Sequence, residues 1–147
     1  MVEIFRQKKS PLSFFIILTA LTIVGCKEDI NLPNISENDI IGTWILTKII
    51  ASYPSGKKEL TPQEANLTMT IILNSDKTFQ QNQNSKGQIT NNSGTWSIAN
   101  GVLTVISTSG TFTLLCRLYG NILQVASTII DPDSGNILPL TLELTKQ

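Results

Sequence analysis

Leu67-Thr68-Met69-Thr70-Ile71-Ile72-Leu73 sets large apolar side chains at every second position, and Leu138-Pro139-Leu140-Thr141-Leu142-Glu143-Leu144 does the same near the C-terminus. Successive side chains of a strand point to opposite faces, so each stretch has one apolar face and one mostly polar face. This period of two predicts half-buried antiparallel strands and argues against helices. Working outward, turn-forming residues divide the chain at Asn74-Ser75-Asp76, Asn100-Gly101, Ser107-Thr108-Ser109-Gly110, Gly120-Asn121 and Asp131-Pro132-Asp133-Ser134-Gly135-Asn136. Eight strands are predicted, at about 40–51, 67–73, 77–83, 93–99, 102–107, 111–118, 122–130 and 137–145. Their short links favour an up-and-down meander over a Greek key.

Three places fit less simply. In the first strand Trp44, Leu46, Lys48 and Ile50 share a face while Ile45 and Ile49 take the other; a bulge near Lys48 would restore one apolar face. Pro139 belongs near a strand start or where no ladder donor is needed. Two links are long. Ser52 to Asn66 contains Thr61-Pro62-Gln63-Glu64, an N-cap, a Pro and a capping-box Glu that predict a single helical turn. Asn84 to Asn92 is polar and is expected to be a mobile loop without chemistry.

The N-terminus carries an address. Arg6, Lys8 and Lys9 precede an uncharged apolar run from Leu12 to Val24, then Gly25 and Cys26, the layout of a secretory signal. The run is shorter than the roughly 20 apolar residues that a membrane-crossing helix needs. Ile23-Val24-Gly25-Cys26 resembles the lipobox of bacterial lipoproteins, with Ile where Leu is usual. The resemblance implies cleavage after residue 25, a diacylglycerol on the Cys26 thiol, and a fatty acyl group such as palmitate on the new amino terminus. Residues 26–38 then read as lipidated Cys and tether, with a reach of roughly 20 Å, and 39–147 as one domain. Lys27-Glu28-Asp29 resembles the Lys-plus-acidic signal that carries some Gram-negative lipoproteins to the cell surface, the alternative being a merely solvated linker. Lys directly after the Cys favours the outer membrane over inner-membrane retention.

Composition excludes several functions. Without residues 1–25 the chain has 122 residues, with 8 Lys/Arg against 10 Asp/Glu, and no basic cluster beyond Lys57-Lys58. A nucleic-acid partner is therefore not expected. The absence of His removes the commonest general base and metal ligand. With Cys26 lipidated, Cys116 has no disulfide partner, and its parity with Phe112, Leu114 and Leu118 makes it a core residue. Asp131 and Asp133 are similar to the first and third positions of a calcium loop, but the twelfth is Leu142, so a plain hairpin turn is expected. No cofactor, metal or catalytic residue is assigned. A hydrolase would need Asp131, Asp133, Glu64 or Asp76 to converge in one cleft.

Gly42-Thr43-Trp44 at the start of the first strand resembles the Gly-x-Trp signature of lipocalins and lipocalin-like lipoproteins. Asn74 to Phe79 and Gly94 to Leu103 are similar to strand-turn-strand phrases of that group. The implied fold is an all-β, eight-stranded antiparallel up-and-down barrel. A proper lipocalin also has a Thr-Asp-Tyr phrase and a late Arg packed across the Trp; here the C-terminus offers only Lys146. The second Gly-Thr-Trp, at Gly94, falls on strand four instead of five and reads as coincidence.

A barrel of eight strands is either filled by its own side chains or holds one small ligand. The candidate ligand-binding residues are Trp44, Met69, Phe79, Trp96, Phe112 and Leu123, in a wall shared with Leu46, Ile71, Leu103, Val105, Leu114, Val125, Leu140 and Leu142. Gln81 and Gln83 share Phe79's parity and mark a wetter end. The first expectation is a membrane-anchored protein binding a small hydrophobic ligand, with the Ser52 to Asn66 link as a partial lid. The alternative is a filled, non-catalytic module docking an envelope protein or glycan. A void of ~300 Å³ or more favours the first. Oligomeric state is left open.

Overall fold

The computed structural model of the chain describes residues 34–131 and 134–147. The expected signal peptide, Cys26 and Asp133 lie outside the described residues. A four-residue helix α1 (Glu37–Ile40) precedes nine strands: β1 (Gly42–Tyr53), β2 (Gly56–Leu60), β3 (Leu67–Leu73), β4 (Thr78–Ser85), β5 (Gln88–Ala99), β6 (Val102–Ser107), β7 (Gly110–Tyr119), β8 (Ile122–Ile130) and β9 (Ile137–Lys146). All neighbours are antiparallel in a β2-β1-β3-β4-β5-β6-β7-β8-β9 order, and β1 also pairs with β9. That pairing closes β1 and β3–β9 into the eight-stranded up-and-down barrel.

The ninth strand corrects the reading of the Ser52 to Asn66 link. β1 runs on to Tyr53 and turns into β2, which pairs with it from Ile49↔Leu60 to Tyr53↔Gly56. A short strand thus flanks the barrel where a partial lid was expected. The predicted helical turn follows: Ala65 N donates to Thr61 O at 3.1 Å, Glu64 N to Thr61 Oγ1 at 3.2 Å and Thr61 N to Glu64 Oε2 at 2.8 Å. The loop expected over 84–92 is instead the tip of a long hairpin, in which β4 and β5 pair from Thr78↔Thr95 to Ser85↔Gln88. Its backbone ladder does not depend on apolar side chains. Asn66, Lys77, Lys86 and Asn100 take the positive φ angles of the adjoining turns.

The bulge is real. The β1–β9 register shifts between Leu46 and Lys48, so Trp44, Leu46, Ile49 and Ala51 are all buried while Ile45 faces out. Lys48 is turned outward between Glu59 at 3.3 Å and Glu143 at 3.7 Å, an exposed arrangement of small energetic weight. Pro139 lies just past Leu140, the last β9 residue paired with β1, so it interrupts nothing on that side.

One end of the barrel is a floor. Each turn there bonds onward to the next strand: Trp96 N donates to Lys77 O at 2.8 Å, Cys116 N to Gly101 O at 2.7 Å and Lys146 N to Asn121 O at 2.9 Å. Residues 35–38, expected to belong to a tether, are instead part of the folded domain: Ile35 is buried, and Ser36 caps α1 in a capping box with Asp39. Two lysines clamp this plug. Lys146 Nζ donates to Asp39 O at 3.0 Å and lies 5.4 Å from the Trp44 ring centre. Lys77 pairs with Glu37 and lies 4.6 Å from the Trp96 ring centre. Lys146 therefore occupies the position over Trp44 that the lipocalin resemblance gives to a late Arg.

At the opposite end the wall opens. The β1–β3 ladder stops at Ile45↔Thr70 and the β7–β8 ladder is confined to Cys116↔Val125 through Tyr119↔Ile122. Residues 110–115 of β7 and 126–130 of β8 consequently do not pair with each other, and the barrel flares into a mouth.

Candidate functional site

Trp44 is fully buried, with its indole N–H donating to Ile40 O at 2.7 Å. Above it lies a cavity of about 250 Å³, walled by inward positions of β1 and β3–β9 and open toward the mouth. This volume falls just short of the ~300 Å³ of common ligand sites, but it is about eight times the ~30 Å³ that a water molecule occupies. The barrel is neither packed solid nor roomy.

The lining changes character with height. Near the floor it consists of Trp44, Leu73, Leu103, Leu123, Leu142 and Leu144. Toward the mouth Gln81, Gln83, Ser85, Gln88, Thr90 and Asn92 take over on β4 and β5. These form three consecutive inward rungs, Gln81↔Asn92, Gln83↔Thr90 and Ser85↔Gln88. Gln81 Nε2 donates to Gln83 Oε1 at 3.3 Å. Across the barrel on β8, Ser127 lines the same space, and its buried hydroxyl has no hydrogen-bond partner. A buried hydroxyl without a partner costs free energy, and a bound polar group can relieve it. Among the described residues no Asp, Glu, Lys or Arg lines the cavity.

Of the six candidate residues, Trp44, Met69, Phe79, Phe112 and Leu123 line the cavity. Trp96 does not. It is buried beside the β3–β4 turn, donating its indole N–H to Asn74 O at 3.1 Å, and braces the floor. The sequence reading missed Gln88, Thr90 and Asn92 because they fell in a stretch taken as a loop. The parity that singled out Gln81 and Gln83 would have found them had the hairpin been continued.

The carboxylates weighed for hydrolysis are occupied locally. Glu64 accepts from the Thr61 backbone and hydroxyl, which holds its carboxyl below the usual range. Asp76 accepts from the Thr78 hydroxyl and backbone N–H, with the same effect. A carboxyl lowered on folding stabilises the fold above its unfolded pKa, and the contribution is lost as pH falls through the lowered value. Glu64 lies beyond β2, Asp76 in the β3–β4 floor turn and Asp131 at the mouth between β8 and β9, so these three share no cleft. Among the described residues no group of three or more His, Cys, Asp or Glu could hold a metal ion, and no helix is long and apolar enough to cross a membrane.

Cys116 is buried, and desolvation pushes its thiol up to about 12. Since the thiolate is the reactive form, native protein at pH 8 is expected to leave Cys116 unmodified by iodoacetamide, with full alkylation after urea unfolding. Peptide mapping by mass spectrometry checks this; rapid labelling of native protein would contradict a closed core at Cys116.

No curated protein matches the chain significantly. Residues 40–122, more than half of it, match the family described as Lipocalin-like domain. That span runs from the end of α1 and Gly42-Thr43-Trp44 through six of the eight barrel strands, to the first residue of β8. With the barrel closed by β1–β9 pairing and floored by Trp44, the chain belongs to the lipocalin-like domain family.

Proposed function

We propose that this protein is a lipid-anchored lipoprotein of the bacterial outer membrane whose barrel binds a small, mainly apolar molecule. The observation that carries the binding role is the mouth-open cavity of about 250 Å³ with an apolar floor. Burying apolar ligand surface there is favourable at ~25 cal/mol per Å². The anchoring rests on the residues up to Cys26, and Lys27-Glu28-Asp29 extends the proposal to display on the cell surface. Binding needs no catalytic group, so the proposed role is non-enzymatic.

Native mass spectrometry of gently purified, delipidated protein tests the binding role. The expected spectrum holds a population heavier than the polypeptide by one small molecule, lost on Trp44→Ala substitution. A bare-mass protein that no small apolar compound stabilises against heat would overturn it. Anchoring is tested separately: Cys26→Ala is expected to move the protein from the membrane to the soluble fraction.

One observation favours the docking-module reading. Ile89, Ile106, Ile130 and Ile137, 48–67% exposed, all lie near the mouth turns. Scattered exposed apolar residues are ordinary, whereas four around one opening fit a partner that covers it. In that case Ile89→Lys with Ile137→Lys would abolish co-purification of an envelope protein while leaving small-molecule binding intact.

A further inference from the structure

The ligand-binding reading leaves the chemistry of the guest open, and the upper wall narrows it. We infer, resting on that reading, that the cavity takes an uncharged amphiphile of about eight to ten non-hydrogen atoms, whose polar head both donates and accepts hydrogen bonds. A primary amide or an alcohol on a short alkyl chain has this chemistry.

Three observations lead there. The three rungs of β4 and β5 put Gln81, Gln83, Gln88 and Asn92 on one side of the cavity. Each carboxamide offers donors and an acceptor together. The Gln81 Nε2 to Gln83 Oε1 bond uses one donor and one acceptor of that pair, leaving the Gln81 carbonyl and further Gln83 N–H capacity for a guest. Across the same cavity the buried, unpartnered Ser127 hydroxyl offers a further hydrogen-bonding group to a guest. A head that both donates and accepts satisfies this set. A carboxylate only accepts, so it leaves the Gln81 carbonyl without a donor, and no cation among the described lining residues offsets its desolvation. A cationic head meets no carboxylate either. The apolar floor from Trp44 to Leu144 then holds the alkyl part.

Hexanamide, hexanoate and toluene form a matched test, being close in size and differing in the head. Titrated into the protein at pH 7.5 and followed by NMR, hexanamide is expected to bind at least about 30-fold more tightly than hexanoate, the difference being the unpaired charge. It should also bind more tightly than toluene and shift the side-chain NH₂ signals of Gln81 and Gln83, which toluene leaves in place. Gln81→Leu with Gln83→Leu should bring hexanamide down to the affinity of toluene, with toluene binding retained as evidence that the barrel is intact. Hexanoate binding as well as hexanamide, or toluene matching hexanamide in the unaltered protein, would overturn the inference and leave the ligand-binding reading standing. Binding of none of the three at millimolar concentration would sink that reading itself.

Discussion

Trp44→Ala is expected to lower stability by about 3–5 kcal/mol, the usual range for removing a large buried aromatic. For a domain of this size the corresponding fall in Tm is on the order of 15 °C. Three losses coincide. The ring is fully buried and floors the cavity, so its removal leaves a void continuous with existing space. The Ile40 carbonyl loses the indole N–H donor at 2.7 Å. Lys146 loses the ring face over which its ammonium lies, and α1 loses part of its clamp. Trp44→Phe separates these effects: keeping most of the volume but not the N–H, it should cost about 1–2 kcal/mol. Thermal and urea unfolding followed by circular dichroism measures both. A Trp44→Ala protein within 1 kcal/mol of the parent would show that the floor is held by other contacts.

Gly94→Ala should be nearly as damaging, for a reason unrelated to backbone freedom. A Cβ at position 94 would lie 1.9 Å from the Ile106 carbonyl oxygen, 2.9 Å from its carbon and 3.0 Å from Ser107 Cα. All three are backbone atoms of β6, which no side-chain rotation can move aside. The variant must push β6 off β5 and lose the Gly94↔Ser107 end of the ladder, at a cost of about 3 kcal/mol or more. Ser107 lines the cavity, so ligand affinity should fall as well. Thr95→Ala, an exposed neighbour on the same strand, is the control and should stay within about 0.5 kcal/mol. Equal melting temperatures for the two variants would contradict the close approach of β5 and β6.

Gly94 also shows what could be read in the chain beforehand. The Gly-Thr-Trp phrase was visible, but the 1.9 Å approach is a property of two paired strands and has no trace in either alone. Apolar alternation was legible wherever the inward face is apolar, as at Leu67–Leu73 and Leu138–Leu144, and conflicting parities around Lys48 announced the bulge. The signal failed where inward residues are polar. Asn84 through Asn92 lacks hydrophobic periodicity because its inward face belongs to the polar half of the cavity, so the stretch misread as a loop is part of the candidate site. β2 escaped for a related reason: Gly56-Lys57-Lys58-Glu59 buries almost nothing and is held by its ladder to β1. α1 is too short to show a period, although Ser36 and Asp39 already spelled its capping box. The contact of Lys146 with Trp44 exists only once β9 meets β1.

The chain enters the domain at the plugged end, so any attachment ahead of it takes hold of the floor and not of the mouth. Seven residues, 27–33, allow at most about 25 Å of chain at ~3.5 Å each. A copy fastened to a bilayer through Cys26 would be held by its base, with the aperture at the end of the barrel farthest from the point of attachment. The attachment would then leave the way into the cavity clear.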